Sequence, residues 1–300
     1  MKFVGSSSLL CYPKKMLEIG SGPPPLEQIE ANLSYWFAQQ PTISHFRWDH
    51  NIWGSSIVFL AHSIFIYLFL VLFLNLVMKL RIKPLPLDRI SSIYNSLMLV
   101  MSVIVLVGCL EATVEEIKEM KWLRRKNSGV ELMVCFPLGT RSAGRVFFWS
   151  YVFYLTKYYE LLDTFIMILG KKSVKFPQIL STTVPIFVCF FWLEFSQSLQ
   201  ILCILTNTVM NVILCSDFFI RGNRGLNCSP RRTNLAAYCR MVELGVAYSG
   251  SIWVVWLHMR KQGCNGMVGC LLNAFCSAIL FLLFIRFQKQ GQTKNQSRSA

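Results

Sequence analysis

Four polar residues recur at helical spacing inside a long apolar run of the sequence: Lys157, Glu160, Asp163 and Thr164. Side chains three or four positions apart lie on one face of an α-helix. Because an ionised side chain near the centre of a bilayer costs at least about 2.5 kcal/mol, such residues pair with one another or line a polar cavity. Lys157 and Glu160 can pair on the helix itself. The run therefore predicts a bridge that holds helices together or the polar wall of an internal site, and the two interpretations are compatible.

A second polar stripe lies in the stretch "TNTVMNVILCSDFF", where Asn207, Asn211 and Cys215 recur at intervals of four. This spacing again places the side chains on one face of a helix. Asparagines in membrane helices commonly hydrogen-bond to a neighbouring helix. Taken alone, the second stripe predicts a contact that joins helices.

The elements that carry these residues belong to a membrane protein. Of the 300 residues, 54% are hydrophobic and 15% are charged, against about 25% charged in soluble domains. The mean hydropathy is +0.46, and several windows reach the roughly 20 apolar residues that cross a bilayer. The composition therefore predicts an all-α polytopic membrane protein.

The net charge of +15 is distributed between the apolar runs, in stretches such as "MKLRIKPLPLDR", "GKKSVK" and "RGNRGLNCSPRR". Short cytoplasmic loops of membrane proteins have this composition. The basic residues do not form one face or one block, so we expect no nucleic-acid partner. The same pattern predicts a cytoplasmic C-terminus and an N-terminus on the opposite side.

Seven apolar segments predict seven transmembrane helices, or six if the fourth, which contains Pro185, is re-entrant. Their approximate limits are 52–78, 90–110, 146–169, 179–193, 199–220, 235–257 and 267–287. This gives a partly flexible leader over residues 1–50, a transmembrane domain over 51–288 and a basic polar tail over 289–300.

The stretch "KYYELLDT" resembles the KxxExxDT motif of the fatty-acid elongases, the membrane condensing enzymes of very-long-chain acyl-CoA synthesis. The stretch "NTVMNVILCSDFF" is similar to the family's NxxVHxxMYxYY helix, with Asn207 as its asparagine. Arg145 and Trp149 stand at the family's arginine and tryptophan ahead of the lysine motif. The resemblance covers roughly residues 30 to 290.

The resemblance implies an endoplasmic-reticulum protein in which six of seven helices enclose a narrow acyl tunnel. The family's acyl transfer condenses a long-chain acyl-CoA with malonyl-CoA, releases carbon dioxide and yields a 3-oxoacyl-CoA. No bound cofactor and no metal are implied, since malonyl-CoA and acyl-CoA are substrates. The implied partners are the lipid bilayer, long-chain acyl-CoA and other elongases or elongation-cycle enzymes.

The resemblance also bears on the eleven cysteines, most of which lie in apolar runs where a thiol acts as a small packing residue. The family places cysteines in loops comparable to those of Cys135 and Cys264. An oxidising lumen favours a disulfide between them, the alternative being two free thiols.

The family's histidine box, HxxHH, has no histidine in this chain. One alignment places Gln178, Ser181 and Thr182 at its three histidines, and a second places Leu180, Thr183 and Val184 there. On the next helix Asn211 stands at the family histidine. At the family's sixth-helix pattern, TxxQxxQ, this chain has Ala237 in place of the threonine and Arg240 and Glu243 in place of the two glutamines. The four histidines of the chain lie outside these motifs, and His62, within the first span, is expected to be a packed polar residue.

These replacements matter because imidazole acts as base or nucleophile near neutral pH. A glutamine side chain cannot do so, and serine or threonine hydroxyls are weak nucleophiles without an adjacent base. Two hypotheses follow: a divergent elongase that still condenses its substrates, and a non-catalytic member that binds acyl-CoA or modulates active elongases. A transporter would also carry charges within its spans, but no duplicated halves appear in the sequence.

Overall fold

The computed structural model describes residues 26–81, 84–123, 134–171, 174, 176–222, 230–260 and 263–299. In these ranges the protein is helical, and its strand-like pairing is one antiparallel bridge between Arg47 and Ala143. A π-helical turn, Tyr35–Gln39, follows the first helix. The helices are α1 (Leu26–Ser34), α2 (Pro41–Ser44), α3 (Ile57–Leu80), α4 (Asp88–Leu123), α5 (Arg145–Leu169), α6 (Phe176–Glu194), α7 (Gln200–Gly222), α8 (Pro230–Arg260) and α9 (Met267–Ser299).

The seven apolar segments correspond to the long helices α3 to α9. Within the described ranges, five of them, α3, α4, α6, α7 and α9, are long and apolar enough to cross a membrane. Helix α5 falls outside this group because Lys157, Glu160 and Asp163 interrupt its apolar run, and the polar residues of α8 lower its hydropathy. The chain is therefore a multi-pass, all-helical membrane protein.

The fourth apolar segment forms a continuous helix, α6, of 19 residues that passes through Pro185. A proline removes one backbone hydrogen bond but does not end the helix here. At 1.5 Å per residue, α6 is about 28 Å long, close to the thickness of the hydrocarbon core. This length suits a full crossing better than a re-entrant loop.

Helices α4 and α9 extend far beyond their predicted limits, whereas the limits of the others differ by a few residues. Helix α4 continues to Leu123, through the mixed-charge stretch after position 110, where Lys118 and Glu115 pair at 2.8 Å. Such pairs one turn apart support an exposed helix. Helix α9 continues to Ser299, across most of the predicted basic tail.

The bundle has a basic end and a disulfide end. At the basic end, Leu85 N donates to Leu169 O at 3.3 Å and the Lys171 ammonium donates to Arg81 O. At the disulfide end, Cys135 and Cys264 are bonded, with Cα atoms 5.1 Å apart. Helix α5 starts beside the disulfide end and finishes at the basic end, so its polar residues lie between the two ends.

The described part of the leader packs on the disulfide end. Gly144 N donates to Phe46 O at 2.8 Å, and Trp48 N donates to Ser142 O at 2.9 Å. The Trp48 ring also lies against Tyr154 and Phe190 of the bundle. Aromatic contacts of this kind add to the burial of apolar area. The segment before α3 is thus part of the packed structure.

Gly108 on α4 packs directly against the Trp149 side chain of α5 near this end. A Cβ at Gly108 would lie 2.2 Å from Cε2 of Trp149, and the Trp149 indole is fixed by donating to Phe37 O at 2.8 Å. Gly108→Ala is therefore expected to destabilise the protein by about 1–3 kcal/mol through overpacking, although alanine favours a helix more than glycine does. The midpoint of thermal unfolding in detergent measures this effect.

Gly245→Ala on α8 is the matched control, because a Cβ at Gly245 meets nothing within 4 Å. We expect Gly245→Ala to leave the unfolding midpoint unchanged or to raise it. Equal midpoints for the two alanine variants would show that α4 and α5 do not approach each other as closely as described.

Candidate functional site

The Lys157 ammonium is the centre of the polar site. It is 1% exposed and donates to Glu160 Oε1 at 2.5 Å and to Asn207 Oδ1 at 2.7 Å. Its nitrogen also lies 4.4 Å from the centroid of the Phe153 ring. A lysine ammonium has three donors and no acceptor, so two of its donors are hydrogen-bonded and the Phe153 ring covers the nitrogen as well. Lys157 is therefore a compensated, fixed cation.

The second polar stripe meets the first across the α5–α7 contact. Asn211 Nδ2 donates to Glu160 Oε1 and to Asn207 Oδ1, both at 3.2 Å. Asn207 Oδ1 therefore accepts from Asn211 and from Lys157, and both asparagines are part of one network. At the position of the family histidine, Asn211 supplies a donor to a carboxylate.

Helix α8 adds a second ion pair to this network. Arg240 Nη1 lies 2.9 Å from Glu243 Oε2, and the Asn207 side chain lies close enough to interact with the Glu243 carboxylate. Two cations and two anions thus lie around one asparagine. Of the two pairs, Lys157–Glu160 is the buried one, and breaking a buried pair is strongly unfavourable. We call this set the ion-pair cluster: Lys157, Glu160, Asn207, Asn211, Arg240 and Glu243.

Asp163 lies one turn beyond Glu160 on α5 and is half-buried. It is close enough to Arg240 and Tyr94 to interact with them electrostatically. Tyr94 of α4 stacks on Tyr159, with ring centroids 5.0 Å apart. The acidic residues of the motif therefore face α4 and α8 as well as α7.

Thr164, the last residue of the motif, belongs to a buried chain of hydroxyls. The Tyr67 hydroxyl of α3 donates to Thr164 Oγ1 at 3.0 Å and lies 3.3 Å from Thr182 Oγ1. Thr182 is one of the box positions in the first alignment. The Tyr67 hydroxyl therefore links Thr182, a box position in the first alignment, to Thr164 of the motif.

The other box positions make local contacts. Gln178 Nε2 lies 2.7 Å from Met167 Sδ. The Ser181 hydroxyl donates to Gln178 O at 2.8 Å, and the Thr182 hydroxyl donates to Ile179 O at 2.9 Å. Hydroxyls in helices often make such bonds to the preceding turn. In the second alignment, Thr183 does the same, donating to Ile179 O at 2.8 Å.

None of the four histidines of the chain joins the cluster. His45 and His50 lie in the segment before α3, and a His45 nitrogen bonds Pro41 O. His62 is exposed on α3, so the prediction that it is a packed residue is wrong. His258 Nδ1 accepts from Cys264 N at 2.8 Å, at the disulfide end. The polar site therefore contains no imidazole.

Hydrogen bonds next to the disulfide tie three connections of the bundle together. Phe136 N donates to Ser198 Oγ at 3.0 Å, and Ser198 Oγ donates to Asn265 O at 2.8 Å. Asn265 N in turn donates to Phe136 O at 2.9 Å. Among the described residues, no three histidine, cysteine or acidic side chains are grouped in a way that could hold a metal ion.

Fold and site together define a multi-pass helical membrane protein built around a KxxExxDT helix. The chain belongs to the ELO (GNS1/SUR4) family, whose sequence model matches residues 52–300, so the predicted family is confirmed. A protein named "Fatty acid elongase 3-like" from Arabidopsis thaliana is 34% identical over 263 residues, covering 85% of this chain and 90% of that protein.

Relatives from Dictyostelium discoideum cover similar shares. "Fatty acid elongase sre1" is 30% identical over 268 residues, covering 88% of this chain and 95% of that protein. "Fatty acid elongase A" is 26% identical over 271 residues, covering 87% of this chain and 94% of that protein. The similarity therefore extends over nearly the full length of each protein.

Sequence reasoning missed Tyr67 as a site residue. A tyrosine hydroxyl in an apolar helix usually finds a hydrogen-bond partner when buried, and Tyr67 is 3% exposed. A tyrosine within an apolar run is visible in the sequence, but the sequence does not show which residues its hydroxyl contacts. Arg240 and Glu243 appeared only as substitutions in a family pattern, and the structure places them in the ion-pair cluster.

Proposed function

We propose that this protein binds a long-chain acyl-CoA inside an elongase-type helix bundle and does not condense it with malonyl-CoA. The observation that carries the proposal is the hydrogen-bonded state of the cluster, in which Asn211 donates to Glu160 where the family has a histidine. A site in which the lysine, the carboxylates and the asparagines already bind one another can shape and brace a binding cavity.

Condensation needs chemistry that these residues do not supply. Loss of carbon dioxide from malonyl-CoA generates a carbon nucleophile, which must displace CoA from the acyl thioester. Enzymes assist such steps with a base or with a nucleophile activated by one. Here the Ser181 and Thr182 hydroxyls donate to helix carbonyls, and Lys157 is bound by Glu160 and Asn207.

Binding of acyl-CoA is supported by the family and by the charge at the basic end. The relatives named above are fatty acid elongases, and the apolar interior of α4 to α9 suits an acyl tunnel. Lys79, Arg81 and Lys171 lie at the basic end, where they would attract the phosphates of CoA. We place this end in the cytoplasm, with the protein in the endoplasmic-reticulum membrane, alongside the enzymes of elongation.

The protein in liposomes is expected to bind radiolabelled long-chain acyl-CoA saturably. Arg81→Glu should weaken this binding roughly fivefold, because it removes a phosphate-binding charge worth about 1 kcal/mol. Lys118→Glu is the matched control, since Lys118 is exposed at the other end of α4, and it should leave the affinity unchanged. Absence of saturable binding, or equal loss in both variants, would contradict the proposed function.

A further inference from the structure

Three asparagines of the chain begin an Asn-x-Ser sequence, the acceptor motif for an N-linked glycan. They are Asn32 in "NLS", Asn227 in "NCS" and Asn295 in "NQS". So short a motif also occurs by chance, and its place in the fold decides whether it is used. The asparagine must lie on the lumenal side of the membrane, where the glycan is transferred, and at the protein surface, because the glycan is bulky.

Two independent observations indicate that the disulfide end is the lumenal one. The Cys135–Cys264 bond lies there, and disulfides form and persist in oxidising compartments but are rare in the cytosol. Lys79, Arg81 and Lys171 lie at the opposite end of the bundle, and basic residues concentrate in the cytoplasmic loops of membrane proteins. The disulfide and the charge distribution therefore give the same orientation.

Asn32 lies at the disulfide end, because its helix, α1, docks there. The residues just after α1 are held by the start of α5: the Trp149 indole donates to Phe37 O at 2.8 Å, and Arg145 Nε donates to Ala38 O at 2.9 Å. Glu30 of α1 is also close enough to Lys118, near the end of α4, to interact with it electrostatically. These contacts place α1 on the lumenal side of the membrane.

The Asn32 side chain is exposed, as are those of Glu30 and Ala31 before it. It therefore leaves room for a glycan that projects away from the bundle. Ser34, the last residue of the motif, is only 8% exposed, and its hydroxyl accepts from Gln39 Nε2 at 3.1 Å. Because the transferase recognises the serine as well as the asparagine, glycan transfer has to precede the folding of this segment.

The other two motifs follow helices that lead away from the disulfide end. Helix α7 has 23 residues and carries the chain about 35 Å toward the basic end. Asn227 comes after α7 and lies outside the described residues. Helix α9 starts at Met267, close to Cys264, and Asn295 lies near its far end. The fold therefore leads both asparagines to the cytoplasmic side.

We propose that Asn32 carries an N-linked glycan and that Asn227 and Asn295 do not. In the transfer, the Asn32 amide nitrogen bonds to the anomeric carbon of a lipid-diphosphate-linked oligosaccharide. The bond from that carbon to the phosphate oxygen breaks, the amide loses one proton, and the lipid diphosphate leaves without any oxidation or reduction. The inference rests on the membrane orientation proposed above and is independent of acyl-CoA binding.

Gel mobility of the full-length protein produced in eukaryotic cells tests the proposal. Treatment with an amidase that removes N-linked glycans is expected to lower the apparent mass in one step. Asn32→Gln should have the lower mass without treatment and show no further shift. Asn227→Gln and Asn295→Gln are the matched controls and should keep the full shift.

A pair of substitutions at Ser34 separates the motif from other effects of the mutation. Ser34→Thr keeps the acceptor motif and should keep the shift, whereas Ser34→Ala destroys the motif and should lose it. Because transfer precedes folding, this comparison does not depend on the stability of the variants. An unchanged mass after amidase treatment of the natural chain, or a shift that persists in Asn32→Gln, would overturn the proposal. Either result would leave acyl-CoA binding, which is measured separately, intact.

Discussion

Replacing Lys157 with methionine is expected to lower the free energy of unfolding by about 3–5 kcal/mol, because the Glu160 carboxylate would then be buried without its cation. Glu160 is 7% exposed, and its Oε1 lies 2.5 Å from the lysine nitrogen. Asn207 would lose a charged donor in the same variant. Unfolding in mixed detergent micelles measures the change.

The double variant Lys157→Met/Glu160→Leu is expected to recover much of this loss, since it buries no unpaired charge. Lys118→Met serves as the control, because the Lys118–Glu115 pair has the same spacing but the lysine is 61% exposed. Its effect should stay within about 0.5 kcal/mol. A double variant as unstable as the sum of its single variants would show that the two side chains do not act as a pair.

Removing the Cys135–Cys264 bond is the second change with a large expected effect. The two residues are 129 positions apart, and loss of a native disulfide typically costs about 2–5 kcal/mol. The bond also holds together the connections that Phe136, Ser198 and Asn265 join. Cys135→Ser is therefore expected to lower the midpoint of thermal unfolding markedly.

Cys264→Ser and the double variant should show the same loss as Cys135→Ser, because each removes the same single bond. Cys276→Ser, at a half-buried free thiol, should change the midpoint little. Additive losses, or alkylation of both cysteines without prior reduction, would show that the bond is absent from the folded protein.

The parts of the site that the sequence predicts are those set by local spacing. Lys157 and Glu160 pair at i and i+3, and the stripe that includes Asn207 and Asn211 follows from a four-residue interval. The limits of α5 and α7 agree with the predicted segments within a few residues. Hydrophobic and polar periodicity carries this information.

The remaining contacts depend on which helix faces meet, which one sequence does not show. Tyr67 reaches Thr164 and Thr182 across 97 and 115 positions. Asn207, which is bonded to Lys157 on α5, lies beside the ion pair of α8. The continuity of α6 through Pro185 is likewise a tertiary result, because packing against neighbouring helices stabilises a helix beyond its local propensity.

We expect this elongase-family protein to bind acyl-CoA without condensing it with malonyl-CoA. The direct measurement is transfer of label from malonyl-CoA into 3-oxoacyl product by the purified protein in liposomes with long-chain acyl-CoA. An active elongase in the same liposomes is the positive control. We predict no incorporation above protein-free liposomes. Incorporation that exceeds this background and is lost in Asp163→Ala would show that the protein condenses its substrates.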